Sequence, residues 1–193
     1  MISAIVLAAG ESKRMGQPKM LLPWGNTTVL GRVITVLQSA GMEDIVTITG
    51  GFREEVEAVA GKYNVRAVYN SEYANHEMLS SIRCGIGSLK PEAEAALICL
   101  GDQPQVRERS VRIVCEAFDK NRSNFVVPSY EMRRGHPWLV ARPLWNEFLK
   151  THSPQSPRNF LNAHSMEIEY VEMDNPSILE DLDTPEDYLK FKP

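Results

Sequence analysis

Short apolar runs alternate with amphipathic segments along most of this chain. The apolar runs are rich in Ile, Val, Leu and Ala, and they predict buried strands at residues 2–7, 45–49, 65–69, 95–100 and 125–128. The amphipathic segments carry apolar side chains at helical spacing, and they predict helices at residues 28–40, 53–60, 78–89 and 109–118. We expect Gly41 and Gly61 to end the first two helices, because glycine readily adopts the left-handed conformation of helix C-termini.

The C-terminal part of the chain is less regular. Its pattern predicts a strand at residues 137–141, short helices at 143–150 and 157–163, and an edge strand at 166–171. The last helix is predicted to begin with Thr184 as N-cap and Pro185 at the first helical position, followed by Glu186 and Asp187 in the first turn.

The alternation of strands and helices predicts an α/β sandwich with a largely parallel sheet. The strand runs lack regular polar alternation, which fits burial on both faces of the sheet. A length of 193 residues indicates one domain, residues 1–193. In sheets of this type, ligands bind beyond the carboxyl ends of the strands.

Composition excludes several classes of protein. The chain is 43% apolar and 24% charged, as in ordinary soluble globular proteins, and its net charge of −4 does not favour nucleic acid or a membrane surface. The three cysteines are Cys84, Cys99 and Cys115; their odd number and the absence of C-x-x-C spacing indicate reduced thiols. The N-terminus does not resemble a signal peptide, and no apolar stretch is long enough to span a bilayer, so we expect a cytoplasmic protein.

The segment after the first strand combines small residues with two cations. Its small or apolar positions are Leu7, Ala8, Ala9, Gly10, Ser12 and Gly16, and its candidate phosphate-binding cations are Arg14 and Lys19. Backbone N–H groups of such a loop can surround a triphosphate while the cations neutralise it. Neither a Walker A loop nor G-x-G-x-x-G is present, which indicates a different phosphate-binding design. The alternative is a glycine-rich surface loop without a chemical role.

Asp102 follows the predicted strand at residues 95–100, separated from it by Gly101. A carboxylate at the end of a central strand is unfavourable unless it meets a cation, and Mg²⁺ shared with substrate phosphates is a natural partner. The alternative is that Asp102 caps the helix that follows.

A second group of acids lies near the C-terminus. Asp181 and Asp183 would project from the same face of an extended segment, and both precede the last helix. Glu186 and Asp187 are sufficiently explained as acids at a helix N-terminus. The sequence does not distinguish Asp181 from Asp183 as a metal ligand.

Two further polar groups are candidates for substrate contacts. The first is Asn70, Ser80, Ser81 and Arg83, where the alternative is that the two hydroxyls cap a helix. The second is Arg133, Arg134, Gly135 and His136, whose charges suit an anionic substrate, although a lone histidine is more often structural than catalytic. The remaining histidines, His76, His152 and His164, lack the spacing of a metal cluster.

Five motifs occur in a fixed order: the glycine-rich loop, Ser-Ser-x-Arg (80–83), GDQP (101–104), RGHP (134–137) and DLDTPED (181–187). From Ile2 to about Leu189 the chain resembles the nucleotidyltransferases of the nucleotide-diphospho-sugar transferase fold, and among them the molybdenum cofactor group of MobA/MocA-like NTP transferases. The resemblance implies a Rossmann-like three-layer α/β/α sandwich with a mostly parallel mixed sheet.

The resemblance also implies roles for the candidate residues. Arg14 and Lys19 would hold the β- and γ-phosphates, and Asp102 with Asp181 or Asp183 would hold Mg²⁺. The implied nucleotide site comprises Leu7, Ala8, Ala9, Gly10, Ser12, Arg14, Gly16, Lys19, Asn70, Ser80, Ser81, Arg83, Gly101 and Asp102. Arg134, Gly135 and His136 would face the acceptor phosphate. One departure concerns the base pocket, because the family usually has glycine where this chain has Glu77.

The implied reaction is the Mg²⁺-dependent transfer of CMP from CTP to molybdopterin cofactor, with release of pyrophosphate. The tract from Lys19 to Gly25 and the Ala8-Ala9-Gly10 form of the loop resemble the cytidylyl branch. The same resemblance allows a molybdoenzyme partner.

Several alternatives remain open. The acceptor could be a sugar or polyol phosphate, or the transferred group could be guanylyl. A non-catalytic module that binds and delivers the cofactor is disfavoured by the presence of both Asp102 and Lys19. An NAD-dependent oxidoreductase is disfavoured by the missing dinucleotide fingerprint.

Overall fold

The computed structural model describes residues 1–75, 78–150 and 156–193, and within these ranges eight strands form one central sheet. The strands in chain order are β1 (Ile2–Ala8), β2 (Pro23–Trp24), β3 (Thr27–Thr28), β4 (Asp44–Thr49), β5 (Arg66–Tyr69), β6 (Ala95–Leu100), β7 (Phe125–Tyr130), β8 (Arg133–Arg134), β9 (Trp138–Ala141) and β10 (Ile168–Glu172). β2 and β3 form a separate hairpin. The sheet order is β10-β7-β9-β6-β1-β4-β5, with β8 paired to β7.

The strands that position the site are parallel. β1 lies between β4 and β6 and is parallel to both, and β4 is parallel to β5. β9 runs antiparallel to β6 and β7, so the sheet is mixed but mostly parallel. The register places Leu7 opposite Leu100, and Ala8 opposite Thr49. The loops that follow β1, β4, β5 and β6 therefore begin at the same edge of the sheet.

Helices cover both faces of this sheet. They are α1 (Val29–Ser39), α2 (Arg53–Lys62), α3 (Met78–Gly87), α4 (Glu108–Asn121), α5 (Trp145–Lys150), α6 (Pro157–Ala163) and α7 (Pro185–Phe191). Along β1, Ala4 and Val6 belong to the core that α1, α2 and α4 cover, whereas Ile5 and Leu7 belong to the core beneath α3, α5 and α6. Since successive strand residues face opposite sides, the predicted three-layer α/β/α sandwich is confirmed.

A third, smaller group of buried side chains lies apart from these two cores. We call it the small core; its members are Met15, Leu22, Trp24, Val29 and Leu182, with Tyr188 and Phe191 packed against it. It joins the β2–β3 hairpin to α7. Neither the hairpin nor the short strand β8 was predicted, because two-residue strands leave no periodic pattern.

Most predicted elements are confirmed within a few residues, and one predicted boundary is wrong. Thr28 caps α1 by accepting a hydrogen bond from the backbone N–H of Gly31 (3.0 Å), and Gly41 takes the expected positive φ of 92° after the helix. Gly61, in contrast, does not end α2, which continues to Lys62. The left-handed residue that follows this helix is Asn64, with φ of 56°. Asparagine can replace glycine there because it tolerates positive φ.

The cysteines lie mainly in the interior. Cys99 is buried, and burial raises the pKa of its thiol well above the usual value. Burial, together with the nearby acids Asp119 and Glu116, raises the pKa of Cys115 to about 12. Both thiols are therefore protonated at neutral pH and poorly nucleophilic. In the part of the chain that the structure describes, no helix is long and apolar enough to cross a membrane.

Candidate active site

The glycine-rich loop after β1 is held in a defined conformation. Ser12 and Gly16 both adopt left-handed backbone angles, with φ of 52° and 67°, and they flank a 3₁₀ turn that carries Arg14. The hydroxyl of Ser12 accepts a hydrogen bond from the backbone N–H of Lys19 (3.1 Å). A Cβ added at Gly10 or Gly16 would meet no atom within 4 Å, so the loop is open on that side. Its left-handed, non-glycine Ser12 is the type of backbone position that concentrates at ligand-binding sites.

Lys19 of this loop forms an ion pair with Asp102, and each side chain is only 14% exposed. The loop that carries Asp102 is tied to β1, because the backbone N–H of Gly101 donates to the carbonyl of Leu7 (3.0 Å). A Cβ at Gly101 would lie 2.9 Å from that carbonyl oxygen, so this close approach requires glycine. The glycine-rich loop and the GDQP motif therefore meet in the structure.

The C-terminal acidic segment completes this cluster. Asp183 accepts from the ammonium of Lys19 (3.4 Å) and pairs with the guanidinium of Arg14 (2.9 Å). The backbone N–H of Leu182 donates to the carbonyl of Asp102 (3.1 Å), which fixes the segment against the GDQP loop. Three motifs that are distant in sequence therefore place two cations and their carboxylate partners at the carboxyl edge of the sheet.

Asp181 differs from Asp183 in its surroundings. Desolvation and the neighbouring carboxylates of Asp102 and Asp183 raise the pKa of Asp181, and a hydrogen bond with the Gln103 side chain partly opposes the rise. Asp183 instead faces Arg14 and Lys19. The structure therefore distinguishes the two acids that the sequence could not. Across the described ranges, no three or more His, Cys, Asp or Glu side chains are arranged to hold a metal ion by themselves.

A group of buried polar side chains follows β5. The side-chain amide of Asn70 donates to the hydroxyls of Ser80 (2.9 Å) and Ser81 (3.1 Å), and all three residues are buried. Both serines lie inside the first turn of α3, which begins at Met78, so neither is the N-cap residue. The predicted nucleotide contacts Asn70, Ser80 and Ser81 are brought together, and Asn70 organises the two hydroxyls.

This group lies close to the phosphate-binding loop. A Cβ added at Gly50, after β4, would lie 2.4 Å from the carbonyl oxygen of Ala9 and 2.7 Å from Cβ of Tyr73. Arg83 donates to the carboxylate of Glu72 (3.0 Å), in the same segment as Tyr73. The departure expected at Glu77 lies outside the described residues, as do His76 and His152.

The RGHP motif reaches the site through the backbone of Ile178. The carbonyl of Ile178 accepts from the backbone N–H of His136 (2.9 Å), and a Cβ at Gly135 would lie 2.4 Å from the same oxygen. Burial lowers the pKa of His136 to about 4, so its imidazole is neutral at physiological pH and brings no positive charge for an anionic substrate. The guanidinium of Arg134, in the same motif, donates to the Tyr170 hydroxyl (2.8 Å) and to the Asn162 side chain (2.7 Å).

Sequence reasoning missed two residues that shape the site. Gln103, in the GDQP motif, is only 2% exposed; its side chain hydrogen-bonds Asp181 and lies 3.5 Å from the carbonyl of Ile178. Leu182 is fully buried between the two acids Asp181 and Asp183. Both residues lie within motifs of the sequence, Gln103 in GDQP and Leu182 in DLDTPED, but the role of each depends on a tertiary neighbour that the sequence pattern does not report. The fourth histidine, His164, pairs with two glutamates. Glu147 lies on α5, and Glu167 directly precedes β10.

Comparison with known proteins shows the family of the chain. Residues 4–168 match the family described as MobA-like NTP transferase domain. The chain is 30% identical over 196 residues to the molybdenum cofactor cytidylyltransferase of Escherichia coli, covering 99% of this chain and 95% of that protein. It is 28% identical over 209 residues to the nicotine blue oxidoreductase of Paenarthrobacter nicotinovorans, covering 98% and 96%. A probable molybdenum cofactor guanylyltransferase of Bacillus cytotoxicus is 31% identical over 141 residues, covering 72% and 67%.

Solved structures agree with the sequence relatives. The crystal structure of Rv0371c from Mycobacterium tuberculosis superposes with a TM-score of 0.86 at 28% identity, covering 98% of this chain and 96% of that one. A manganese complex of the same mycobacterial protein superposes with a TM-score of 0.77 at 28% identity, covering 99% and 97%.

Proposed function

The chain belongs to the MobA-like NTP transferase family and is a nucleotidyltransferase, and from that premise we propose that it transfers CMP from CTP to molybdopterin cofactor. The observation that carries the proposal is the ion-pair cluster of Arg14 and Lys19 with Asp102 and Asp183. It places cations for a triphosphate and carboxylates for a divalent metal at one point. The full-length similarity to a molybdenum cofactor cytidylyltransferase supports the choice of CTP and of the acceptor.

The proposed reaction needs positioning and charge stabilisation more than proton transfer. An oxygen of the acceptor's terminal phosphate attacks the α-phosphorus of CTP, and the bond from that phosphorus to the bridging oxygen breaks. Pyrophosphate leaves with the bonding electron pair. Because the acceptor phosphate is already ionised at neutral pH, no general base is required.

Arg14 and Lys19 would stabilise the charge on the departing pyrophosphate. Arg14 is 71% exposed and can exchange its bond to Asp183 for one to a phosphate oxygen, where its planar fork binds two oxygens at once. Lys19 is 14% exposed and held by two carboxylates, so it would act as a fixed point charge. In the structure Arg14 and Lys19 form ion pairs with these carboxylates. When the triphosphate binds, its oxygens would replace the carboxylates as partners of the two cations.

Mg²⁺ fits the acids that the structure brings together. Asp102 and Asp181 would supply hard oxygen donors; desolvation first, and then the carboxylates of Asp102 and Asp183, raises the pKa of Asp181. Mg²⁺ is commonly held by one or two carboxylates together with substrate phosphates, which agrees with the absence of a three-residue site among the described residues. When bound, the ion would neutralise charge on the reacting phosphates. A manganese complex of the mycobacterial relative supports a divalent cation in this fold.

The remaining predicted residues would complete two subsites. We assign the nucleotide to the backbone of the loop formed by Leu7, Ala8, Ala9, Gly10, Ser12 and Gly16, to Gly101, and to Asn70, Ser80, Ser81 and Arg83. We assign the phosphorylated acceptor to Arg134, Gly135 and His136, where His136 would act as a neutral hydrogen-bonding group. A molybdoenzyme that receives the product would be the protein partner.

Guanylyl transfer to the same acceptor is the second candidate, because a probable guanylyltransferase is 31% identical over 141 residues. The match to the oxidoreductase relative covers 98% of the chain, and the match to the cytidylyltransferase covers 99%. A hydride-transfer reaction would not use the Lys19–Asp102 pair, and a delivery module would not need it.

The test is pyrophosphate release from purified protein with Mg²⁺, molybdopterin cofactor and each of CTP, GTP, ATP and UTP in turn. Release with CTP alone is the expected result. Release with GTP alone would favour the guanylyl candidate. Release with none of the four would contradict the proposed acceptor, and sugar and polyol phosphates would then be tested with the same nucleotides.

A further inference from the structure

The small core lies beneath the two charged segments of the site. Met15 is 5% exposed and stands between Arg14 and Gly16 in the phosphate-binding loop. Leu182 is 0% exposed and stands between Asp181 and Asp183 in the acidic segment. Each charged segment therefore sends one apolar side chain into the same cluster. The phosphate-binding loop and the acidic segment are therefore connected in two ways, by apolar packing in the small core and by ion pairs between their charged side chains.

The backbone of Leu182 is fixed as firmly as its side chain. Its N–H donates to the carbonyl of Asp102 (3.1 Å), while its side chain belongs to the small core, which also contains Trp24 and Val29. This residue is thus held on one side by the GDQP loop and on the other by the β2–β3 hairpin. A displacement of Leu182 would move both neighbouring carboxylates at once, because they share its backbone.

Helix α7 closes the small core from the C-terminal side. The hydroxyl of Tyr188 donates to the carbonyl of Pro23 (2.7 Å), and the rings of Tyr188 and Trp24 are 6.4 Å apart. The carboxylate of Asp187 accepts from the backbone N–H groups of Thr184 (2.9 Å) and Asp183 (3.3 Å). The N-terminal cap of α7 therefore sets the backbone of Asp183, while the side chains of α7 attach the helix to the hairpin.

Apolar anchoring is needed here because the acidic segment carries like charges. Asp181 and Asp183 flank Leu182, whose backbone is hydrogen-bonded to that of Asp102, so the three carboxylates lie on adjacent stretches of backbone and their repulsion favours separation of the segments before a cation binds. Arg14 pairs with Asp183, and Lys19 pairs with Asp102. The packing of a buried leucine does not depend on which charges are neutralised, and it holds the segment in every ligand state.

We propose that the small core acts as a positioning unit and that Leu182 is the positioning residue that holds Asp181 and Asp183 in register with Arg14 and Lys19. This inference rests on the proposed nucleotidyl transfer at the same site. It assigns no contact with substrate to Leu182. Its role is to set the distance between the acidic segment and the phosphate-binding loop, so a small change in its volume should alter nucleotide binding and turnover together.

The experiment compares Leu182→Ala with Leu161→Ala. Leu161 lies on α6, is 6% exposed, and packs in the core beneath α3, α5 and α6, away from the small core. Binding of CTP with Mg²⁺ is measured by calorimetry, and kcat and KM are measured from pyrophosphate release, at a temperature well below the unfolding transition of both variants. We expect Leu182→Ala to weaken CTP binding about tenfold and to lower kcat by as much as about 100-fold, because misplacement by about 1 Å can have such an effect. Leu161→Ala should bind and turn over CTP like the wild-type protein.

Conservative replacement separates positioning from folding. Leu182→Met keeps nearly the same volume and should restore most of both parameters; if Leu182→Ala does not fold, Leu182→Val is compared with Leu161→Val in the same way. Equal kinetic losses in the Leu182 and Leu161 variants would overturn the inference, as would a wild-type kcat and CTP affinity in Leu182→Ala. Wild-type protein that releases no pyrophosphate with any nucleotide would instead contradict the proposed function, and CTP binding by the variants would still test the positioning role.

Discussion

The ammonium of Lys19 and the carboxylate of Asp102 form an ion pair between two loops that are 83 residues apart in sequence. Both side chains are 14% exposed, so the pair is largely shielded from solvent. A shielded pair is strongly coupled, because neither charge is well solvated without the other. Substrate phosphates and a metal ion can replace each partner with another of the same sign, which makes this pair a natural centre for binding a metal–nucleotide complex.

Replacement of Asp102 tests this centre. We expect Asp102→Ala to lower kcat by at least about 100-fold, since removal of one group that stabilises developing charge commonly has an effect of this size. The fold should persist, because Lys19 keeps Asp183 as a second partner. Turnover is measured by pyrophosphate release, and folding by circular dichroism and thermal unfolding. Asp174→Ala is the matched control, since Asp174 is 61% exposed and pairs with Arg109 outside the site; Asp102→Ala with activity close to that control would refute the metal assignment.

The two C-terminal acids should respond differently to the same substitution. Asp181→Asn should raise the Mg²⁺ concentration for half-maximal activity by at least about tenfold, because Asp181 adjoins Asp102 in the acidic cluster. Asp183→Asn should raise KM for CTP by about tenfold with little change in the Mg²⁺ requirement, because Asp183 orders Arg14 and Lys19 through charged hydrogen bonds. Titrations of Mg²⁺ and of CTP separate the two effects. Identical profiles for the two variants would show that the acids act as one group.

Two glycines allow the packing of the phosphate-binding loop to be tested with a matched control, because Gly50 contacts the loop and Gly61 does not. A Cβ at Gly50 would lie 2.4 Å from the carbonyl of Ala9, so Gly50→Ala should push this loop away and lower stability by about 1–3 kcal/mol together with kcat/KM. At Gly61, inside α2, a Cβ would meet no atom within 4 Å, and Gly61→Ala should raise stability by about 0.5–1 kcal/mol without changing activity. Urea unfolding and initial rates measure both. A destabilised Gly61→Ala variant would mean that α2 ends at Gly61, as the sequence pattern predicted.

Local sequence patterns predicted most of the strands, most of the helix ends and the sheet edge that carries the site. The apolar run of β1, the capping residue Thr184 and the left-handed Gly41 depend on neighbours within a few residues, and all are confirmed. The carboxyl-edge position of the loop after β1 and of Asp102 also follows from strand order, because parallel strands end together.

The missed features depend on partners distant in sequence. The predicted end of α2 was wrong because glycine is only one of the residues that adopt positive φ, and Asn64 is the residue that does so after this helix. Asp181 and Asp183 have the same side chain and similar local sequence, and they differ only in which charges from other loops face them. The neutral state of His136 likewise follows from burial, which a motif does not report.

His136 provides a prediction about pH. Its pKa of about 4 in the folded protein is below the usual value of 6.5, so the unfolded chain binds more protons between these two values. The free energy of unfolding should therefore decrease as the pH falls from about 6.5 to about 4, by no more than about 3 kcal/mol from this residue. His136→Asn, which cannot be protonated in this range, should lose less stability over the same interval.

The measurement is urea unfolding of the wild-type protein and of His136→Asn at several pH values between about 4.5 and 7, with the difference between them assigned to His136. The comparison is specific because His164 has the opposite behaviour: desolvation opposes its protonation, but the hydrogen bonds to Glu167 and Glu147 raise its pKa. Its contribution is complete below about pH 6.5 and is lost as the pH rises through its folded pKa, so it does not mimic acid destabilisation. Parallel stability curves for the two proteins would show that His136 is solvated and able to carry charge, and its assignment as a neutral group facing the acceptor would then be wrong.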